Sequence, residues 1–94
     1  MDQITQAMLK RLVNTINRKL GTPVTPYRVK EDGIGCVSNE GNYHLDWANG
    51  GVSLCRMAGG GGTHDVLRCG HITKRDLFGR MQAFLEGIRV ERGE

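Results

Sequence analysis

The feature that most restricts the fold is an Asn-Gly pair at positions 49–50, with alternating apolar residues on both sides. Both residues tolerate the positive φ angles of a type I′ turn, the most common two-residue hairpin loop. A loop of this length sets Leu45 opposite Leu54 and Trp47 opposite Val52, so that the apolar residues share one face. We therefore predict an antiparallel hairpin, with Trp47 buried between the sheet and the helices. The opposite face is predicted to be open and mostly polar, and its residues are His44, Asp46, Ser53, Cys55 and Met57.

The first twenty residues have the pattern of an amphipathic helix. Apolar residues recur at helical spacing on one face, namely Leu9, Leu12, Val13, Ile16 and Leu20. Asp2 is predicted to cap the helix, and Gly21 followed by Pro23 to end it. The opposite face carries basic and polar residues, Lys10, Arg11, Asn14 and Arg18. That face is either simply solvated or a surface for an anionic partner.

A second helix is predicted over residues 73–90. Thr73 followed by Asp76 resembles a capping box, with Asp in place of the usual Glu or Gln. The buried stripe consists of Leu77, Met81, Phe84, Leu85 and Ile88. On the opposite face, small residues recur every fourth position, at Gly79, Ala83 and Gly87. Small residues at this spacing allow another backbone to approach closely, so we predict a contact with a second copy or a target.

The remaining segments complete an antiparallel meander. Short strands are predicted at residues 27–30 and 34–38 before the hairpin, and at residues 66–69 after it. In the last strand we favour the register that sets Leu67 beside Leu54, because the alternative would bury Arg68. The chain is thus predicted to be one α+β domain over residues 1–94, with a helix at 1–20, a meander at 27–70 and a helix at 73–90. Both helices pack on one face of a sheet of four or five strands.

Composition limits the setting in which the chain works. Its formal charge of +3 permits contact with nucleic acid but does not favour it, since the basic residues are spread along the sequence. No segment reaches the ~20 apolar residues of a transmembrane helix, and the N-terminus lacks the pattern of a signal peptide. Three cysteines show no disulfide framework. We therefore expect a cytoplasmic protein with free thiols and no membrane contact.

Catalytic and cofactor chemistry finds little support in the sequence. The cysteines and histidines do not have the spacing of a zinc site, although His44 and Cys55 face each other and Cys69 lies close to His71. The four glycines at positions 59–62 precede a strand rather than a helix, so they do not form a phosphate-binding loop. We expect a mobile hairpin tip there. No metal, cofactor or catalytic residue is predicted.

The run GNYHLDWANGGVSLCRMAGGGG, followed by THDV and CGHITKRDLFGRMQAFLEGI, resembles small orphan proteins encoded by bacteriophage and prophage genomes. The resemblance covers residues 41–88. Such proteins have no established function, so the resemblance implies no site residue. It implies a bacterial cytoplasm during infection and an action on a host or defence protein.

These observations favour a non-enzymatic module that binds another protein, host or phage, in the manner of an inhibitor. The candidate partner-binding residues come from the basic helix face, the polar sheet face and the small-residue face of the second helix, and they are Lys10, Arg11, Asn14, Arg18, His44, Asp46, Ser53, Gly79, Ala83 and Gly87. The small-residue face could also form a homodimer. The alternative is weak, non-specific nucleic-acid binding by the basic helix face. That alternative lacks a recognition motif, and the aromatics that could stack on bases are expected in the core. An enzyme is the least supported class.

Overall fold

The computed structural model describes residues 3–59 and 62–94. Its elements in chain order are α1 (Gln6–Leu20), β1 (Tyr27–Val29), β2 (Cys36–Ser38), β3 (Tyr43–Ala48), β4 (Gly51–Met57), β5 (Thr63–Asp65) and α2 (Lys74–Glu91). The predicted α+β architecture, an antiparallel meander between two helices, is confirmed. The strands are divided between two sheets, a β1–β2 hairpin and a three-stranded sheet in the order β3-β4-β5.

Both helices pack on the same face of the three-stranded sheet, as predicted. The buried core joins α1, β3, β4 and α2 and consists of Leu9, Val13, Ile16, Tyr43, Val52, Leu54, Leu77, Met81 and Leu85. Tyr43 links the layers, since its ring lies 5.9 Å from that of Phe84 and under the guanidinium of Arg56. The apolar stripes read from the sequence therefore meet in a single core.

The central hairpin has the predicted register, with Leu45 opposite Leu54 and Trp47 opposite Val52. Asn49 and Gly50 have φ angles of 53° and 74°, as a type I′ turn requires. The predicted burial of Trp47 is wrong, because 43% of its surface is exposed. β3 is an edge strand, so the end of it near the turn is covered from one side only.

Two of the three predicted helix caps, Gly21 and Thr73, are found. α1 begins at Gln6, later than expected, because Thr5 is its N-cap and accepts a hydrogen bond from the Met8 amide. The proposed cap, Asp2, lies outside the described residues. Gly21 ends α1 in the left-handed conformation. The side chain of Thr73 caps α2 by accepting from the Asp76 amide at 3.2 Å.

The β1–β2 hairpin stands apart from the three-stranded sheet as a separate arm. Its base is fixed by two buried asparagines, whose side-chain amides donate to backbone carbonyls that precede β1. Asn39 donates to Thr25 and Asn42 to Pro23. These bonds pair the side-chain NH2 groups that burial would otherwise leave unsatisfied, whereas the buried Oδ1 of Asn42 makes no hydrogen bond within the described residues.

The last strand differs from the prediction in position and register. It forms at residues 63–65, and the amide of Val66, rather than of Leu67, donates to the Leu54 carbonyl. The carboxylate of Asp65 then accepts from the amides of Arg68 and Gly70 at 3.1 and 2.8 Å. This side-chain turn pulls the next residues out of the ladder until Ile72 rejoins it opposite Val52.

The outer face of the three-stranded sheet is less open than predicted. Ser53, Cys55 and Met57 are buried, with exposed fractions of 2%, 7% and 1%. All three lie on β4, the central strand of the sheet, which β3 and β5 flank on either side. Ser53, which was predicted to bind a partner, is therefore covered by its own chain.

Candidate functional site

One side chain on α1 closes part of the exposed edge of β3. The amide of Asn17, which is fully buried, donates to the Tyr43 carbonyl at 2.9 Å and accepts from the Tyr43 amide at 2.9 Å. It thus makes the two hydrogen bonds that a neighbouring strand would make. Its oxygen also accepts from the Thr22 hydroxyl at 2.7 Å, which fixes its orientation. An additional strand therefore cannot pair with β3 at Tyr43.

The rest of the β3 edge is free. In an antiparallel pair joined by a two-residue turn, alternate residues direct their backbone groups toward the partner strand. Ala48, Asp46 and His44 point toward β4, so Leu45 and Trp47 point away from it. Within the described chain, no strand or side chain bonds the outward amide and carbonyl of either residue.

A groove runs beside this free edge. It has a volume of about 260 Å³ and is lined by α1, by Val24 after it and by β3; its residues are Lys10, Val13, Asn14, Val24, Tyr43, His44, Leu45 and Trp47. Val24 and Trp47 are both large apolar residues with substantial exposure, 55% and 43%. Together with Val13 and Leu45 they give the groove an apolar floor beside unpaired backbone.

The charge in this groove has one sign. Among the described residues, Lys10 is the only formally charged one that lines the groove apart from the titratable His44, and no carboxylate of theirs lines it. The salt bridges found in the described chain leave Lys10 without an acidic partner. An anionic group that enters the groove would therefore meet a cation whose charge is not already compensated.

His44 contributes an unsatisfied polar atom. Its Nδ1 atom is buried and makes no hydrogen bond within the described residues. Buried polar atoms are nearly always paired in native proteins. His44 also lines the groove, so an unpaired polar atom belongs to one of the lining residues.

The remaining polar groups of the outer sheet face pair with one another. Nε2 of His71 lies 2.7 Å from the Asp46 carboxylate, and the Ser53 hydroxyl lies 3.4 Å from the Cys55 sulfur. Burial raises the pKa of the Cys55 thiol above its ordinary 9.0, which outweighs the opposing effect of the Ser53 hydrogen bond. A thiol with a raised pKa is protonated at neutral pH and is a poor nucleophile.

The structure separates the residues predicted to bind a partner into several surfaces. Lys10, Asn14 and His44 line the groove, but Arg11 lies in a neighbouring depression against Phe78 of α2. Arg18 donates to the Thr15 hydroxyl instead. The small residues Gly79, Ala83 and Gly87 are exposed on α2, and open space surrounds a Cβ built on either glycine.

Sequence reasoning missed Asn17, Leu45, Val24 and Trp47 as components of a site. A signal for Asn17 was present, because it follows Val13 by four residues and so falls on the apolar stripe of α1. A polar residue there requires a buried hydrogen-bond partner. The sequence held no comparable signal for Val24, whose position depends on how the chain leaves α1.

Residues 3–59 and 62–94 contain neither a metal-binding cluster nor a membrane-spanning helix. No group of three or more His, Cys, Asp or Glu side chains is arranged to hold a metal ion there. Neither helix in this part of the chain has the length and hydrophobicity to span a bilayer.

Comparisons with protein-family models, with curated proteins and with solved structures gave no match. No similarity therefore assigns a role to any residue of the groove.

Proposed function

We propose that this protein is a non-catalytic module that binds another protein through the groove between α1 and β3. The observation that carries the proposal is the exposed Trp47 beside the free backbone of an edge strand. Tryptophan is strongly enriched among residues that dominate binding energy at protein interfaces. An unpaired strand edge left open is a liability unless a partner uses it.

The dimensions of the groove favour a polypeptide over a small molecule. Its volume of about 260 Å³ falls below the ~300–1,000 Å³ of pockets that enclose drug-sized ligands. A space of this size accommodates one or two side chains of a partner. Such a pocket serves as an anchor point within a larger contact area.

Site-specific photo-crosslinking in bacterial cells tests this proposal. A photoreactive amino acid replaces Asn14 in the groove, Ala83 on α2, or Glu31 at the tip of the β1–β2 arm. We expect a discrete adduct with another protein from position 14 and none from position 31. The adduct should disappear when Lys10→Glu and Trp47→Ala are added. Equal adducts from positions 14 and 31, or an adduct that the two substitutions leave unchanged, would contradict the proposal.

The nature of the partner is a further part of the proposal. The resemblance of residues 41–88 to phage and prophage orphan proteins suggests a host or defence protein as the target, with this chain as its inhibitor. Expression of the chain in a bacterial host, followed by identification of the protein joined at position 14, tests this part. A target that plays no role in phage growth or defence would contradict it.

One observation favours a second function, weak binding of single-stranded nucleic acid. Trp47 was expected in the core but is exposed, and it shares a groove with the unpaired Lys10. Bases stack on exposed aromatic side chains, and phosphates attract nearby lysines. Because Trp47 is the only tryptophan, its fluorescence reports stacking directly. Quenching by oligo(dT) that weakens as salt increases would support this function, and unchanged fluorescence at low salt would exclude it.

A further inference from the structure

We infer that the partner contributes an extended segment that adds to β3 as a fourth strand, pairs only at Leu45 and Trp47, and places a carboxylate near Lys10. This inference rests on the proposed function and specifies its binding mode. Strand addition is a recurring mode of peptide recognition in which backbone hydrogen bonds supply affinity and adjacent pockets supply specificity.

The position of Asn17 limits where such a strand can pair. Its side chain already makes both outward hydrogen bonds of Tyr43. The other end of β3 reaches the turn, where Asn49 has a positive φ. Only the outward groups of Leu45 and Trp47 remain, which gives a short pairing of four backbone hydrogen bonds in a fixed register. Because the pairing is this short, the affinity for the segment also depends on its side-chain contacts in the groove.

A second copy of this chain fits the edge poorly. An antiparallel pair of β3 strands that uses both free residues must set Leu45 against Trp47 of the other copy. The residue between them, Asp46, would then lie directly opposite its own counterpart. Like charges in directly opposed positions destabilise a strand pair. Shifting the register by two residues in either direction would require Tyr43 or the turn, so the occupant is a different polypeptide.

The chemistry of that segment follows from the groove. Its apolar floor beside Val24 and Trp47 calls for an apolar side chain, and the uncompensated Lys10 calls for Asp or Glu. Arg11 and Arg18, which are exposed on the same helix, extend the positive potential beyond the groove. A segment that combines apolar and acidic residues is therefore preferred over a basic one.

Hydrogen exchange with a selected peptide tests the binding mode. The probe is a peptide chosen from a ribosome-displayed library of random sequences and then synthesised. In the free protein, the Tyr43 amide should exchange slowly, and the amides of Leu45 and Trp47 should exchange fast. The bound peptide should slow exchange at Leu45 and Trp47 by about tenfold or more. A peptide that binds without slowing either amide would overturn the inference.

One pair of variants separates backbone pairing from side-chain contact. Trp47→Ala and Trp47→Pro lose the same indole, but only proline also loses the outward amide, which makes no bond to β4. We expect the proline variant to bind the peptide about fivefold more weakly than the alanine variant. Equal affinity would overturn strand pairing at Trp47. Unchanged exchange at His44 and Asp46 verifies that the proline variant keeps its hairpin.

The charge requirement is tested with Lys10→Glu and a matched reversal at Lys30, which is exposed on the β1–β2 arm. Only Lys10→Glu should weaken the peptide, and selected sequences should be enriched in Asp and Glu. Equal effects of both reversals, or selected sequences that are basic, would overturn the acidic preference. These results are independent of photo-crosslinking, so a groove adduct with unprotected Leu45 and Trp47 amides would reject strand addition and leave the proposed function standing.

Discussion

At the scale of single residues, Asn17 is the side chain that closes part of the exposed edge of β3. It is a polar residue on the apolar stripe of α1, and both bonds to Tyr43 are buried. Asn17→Leu would leave the Tyr43 amide and carbonyl unpaired inside the protein. Because an unsatisfied buried polar group costs ~1–3 kcal/mol, we expect the free energy of unfolding to fall by at least that amount.

Urea denaturation followed by circular dichroism measures this loss. Asn14→Leu is the matched control, since Asn14 lies one turn earlier on the same helix and is exposed. Its effect should stay within ~0.5 kcal/mol. Equal stability of the two variants would show that the Asn17 amide does not hold the β3 edge.

Cys55 makes a residue-scale prediction about pH. Burial raises the pKa of its thiol, so the folded chain keeps a proton that the unfolded chain releases near pH 9.0. The unfolded state then binds fewer protons, and the free energy of unfolding must decrease as pH rises above 9.0. Stability is fully retained below that pH and is lost as pH passes through the pKa of the folded state.

This expectation is checked by comparing the urea midpoints of wild type and Cys55→Ala at about pH 7.5 and about pH 10. The alanine variant should lose less stability on going to the alkaline buffer, whatever its stability at neutral pH. Cys36, which is exposed, provides the control through Cys36→Ala. A wild type and a Cys55→Ala variant that lose equal stability would contradict the sign or the origin of the effect.

At the scale of elements, local signals predicted structure well where they agreed with one another. The alternation around positions 49–50 and the turn residues both fixed the hairpin, and its six residue pairs form as expected. β5 lacked such agreement. Its position depends on the Asp65 carboxylate bonding to Arg68 and Gly70, an interaction that hydrophobic periodicity does not report.

Two glycines show how element packing decides the effect of the same substitution. A Cβ at Gly51 would come within 2.9 Å of the His71 backbone, whereas one at Gly79 meets nothing within 4 Å. Gly51→Ala should therefore destabilise the protein by ~1–3 kcal/mol through overpacking. Gly79→Ala should stabilise α2 by up to ~1 kcal/mol in dilute solution, where no second copy packs against it, because alanine is the better helix former. Thermal unfolding of both variants, monitored by circular dichroism, would contradict this account if the two midpoints shifted in the same direction.

At the scale of the whole molecule, the candidate site arises from parts that are distant in sequence. α1, Val24 and β3 meet only after the core has formed, so the pattern of any one segment could not reveal the groove. The sequence did identify Lys10, Asn14 and His44 individually. It placed Trp47 in the core, because alternation shows which face of the sheet a residue occupies. Alternation does not show how much of that face other elements cover.

The radius of gyration, 14.1 Å, exceeds the ~12 Å expected of a compact domain of this length. The β1–β2 arm contributes little to the core, since Tyr27, Val29 and Ile34 are all more than half exposed. An isolated two-stranded hairpin has little stability of its own. The bonds that Asn39 and Asn42 make at its base are therefore important for holding the arm in place.

The exposed face of α2 leads to a prediction about assembly. Gly79 and Gly87 lie inside a capped helix of 18 residues and touch nothing beyond it. Each glycine lowers helix stability by ~1 kcal/mol relative to alanine. The presence of two such residues is explained if a second copy of the chain packs against Gly79, Ala83 and Gly87. We expect sedimentation equilibrium to show self-association of the wild type that increases with concentration. Ala83→Leu should abolish that association and leave the fold unchanged.

A control must show that an added leucine does not by itself change the association. Gln6→Leu is that control, because it adds a leucine to an exposed position on α1. This variant should associate like the wild type. A homodimer through α2 would leave the groove beside β3 available, because the two surfaces share no residue. The dimer would then present two grooves and bind two partner segments. A wild type that stays monomeric at every concentration would rule out the contact between two copies. The α2 face could then bind only a target protein, and the crosslinked adduct from position 83 would test for one.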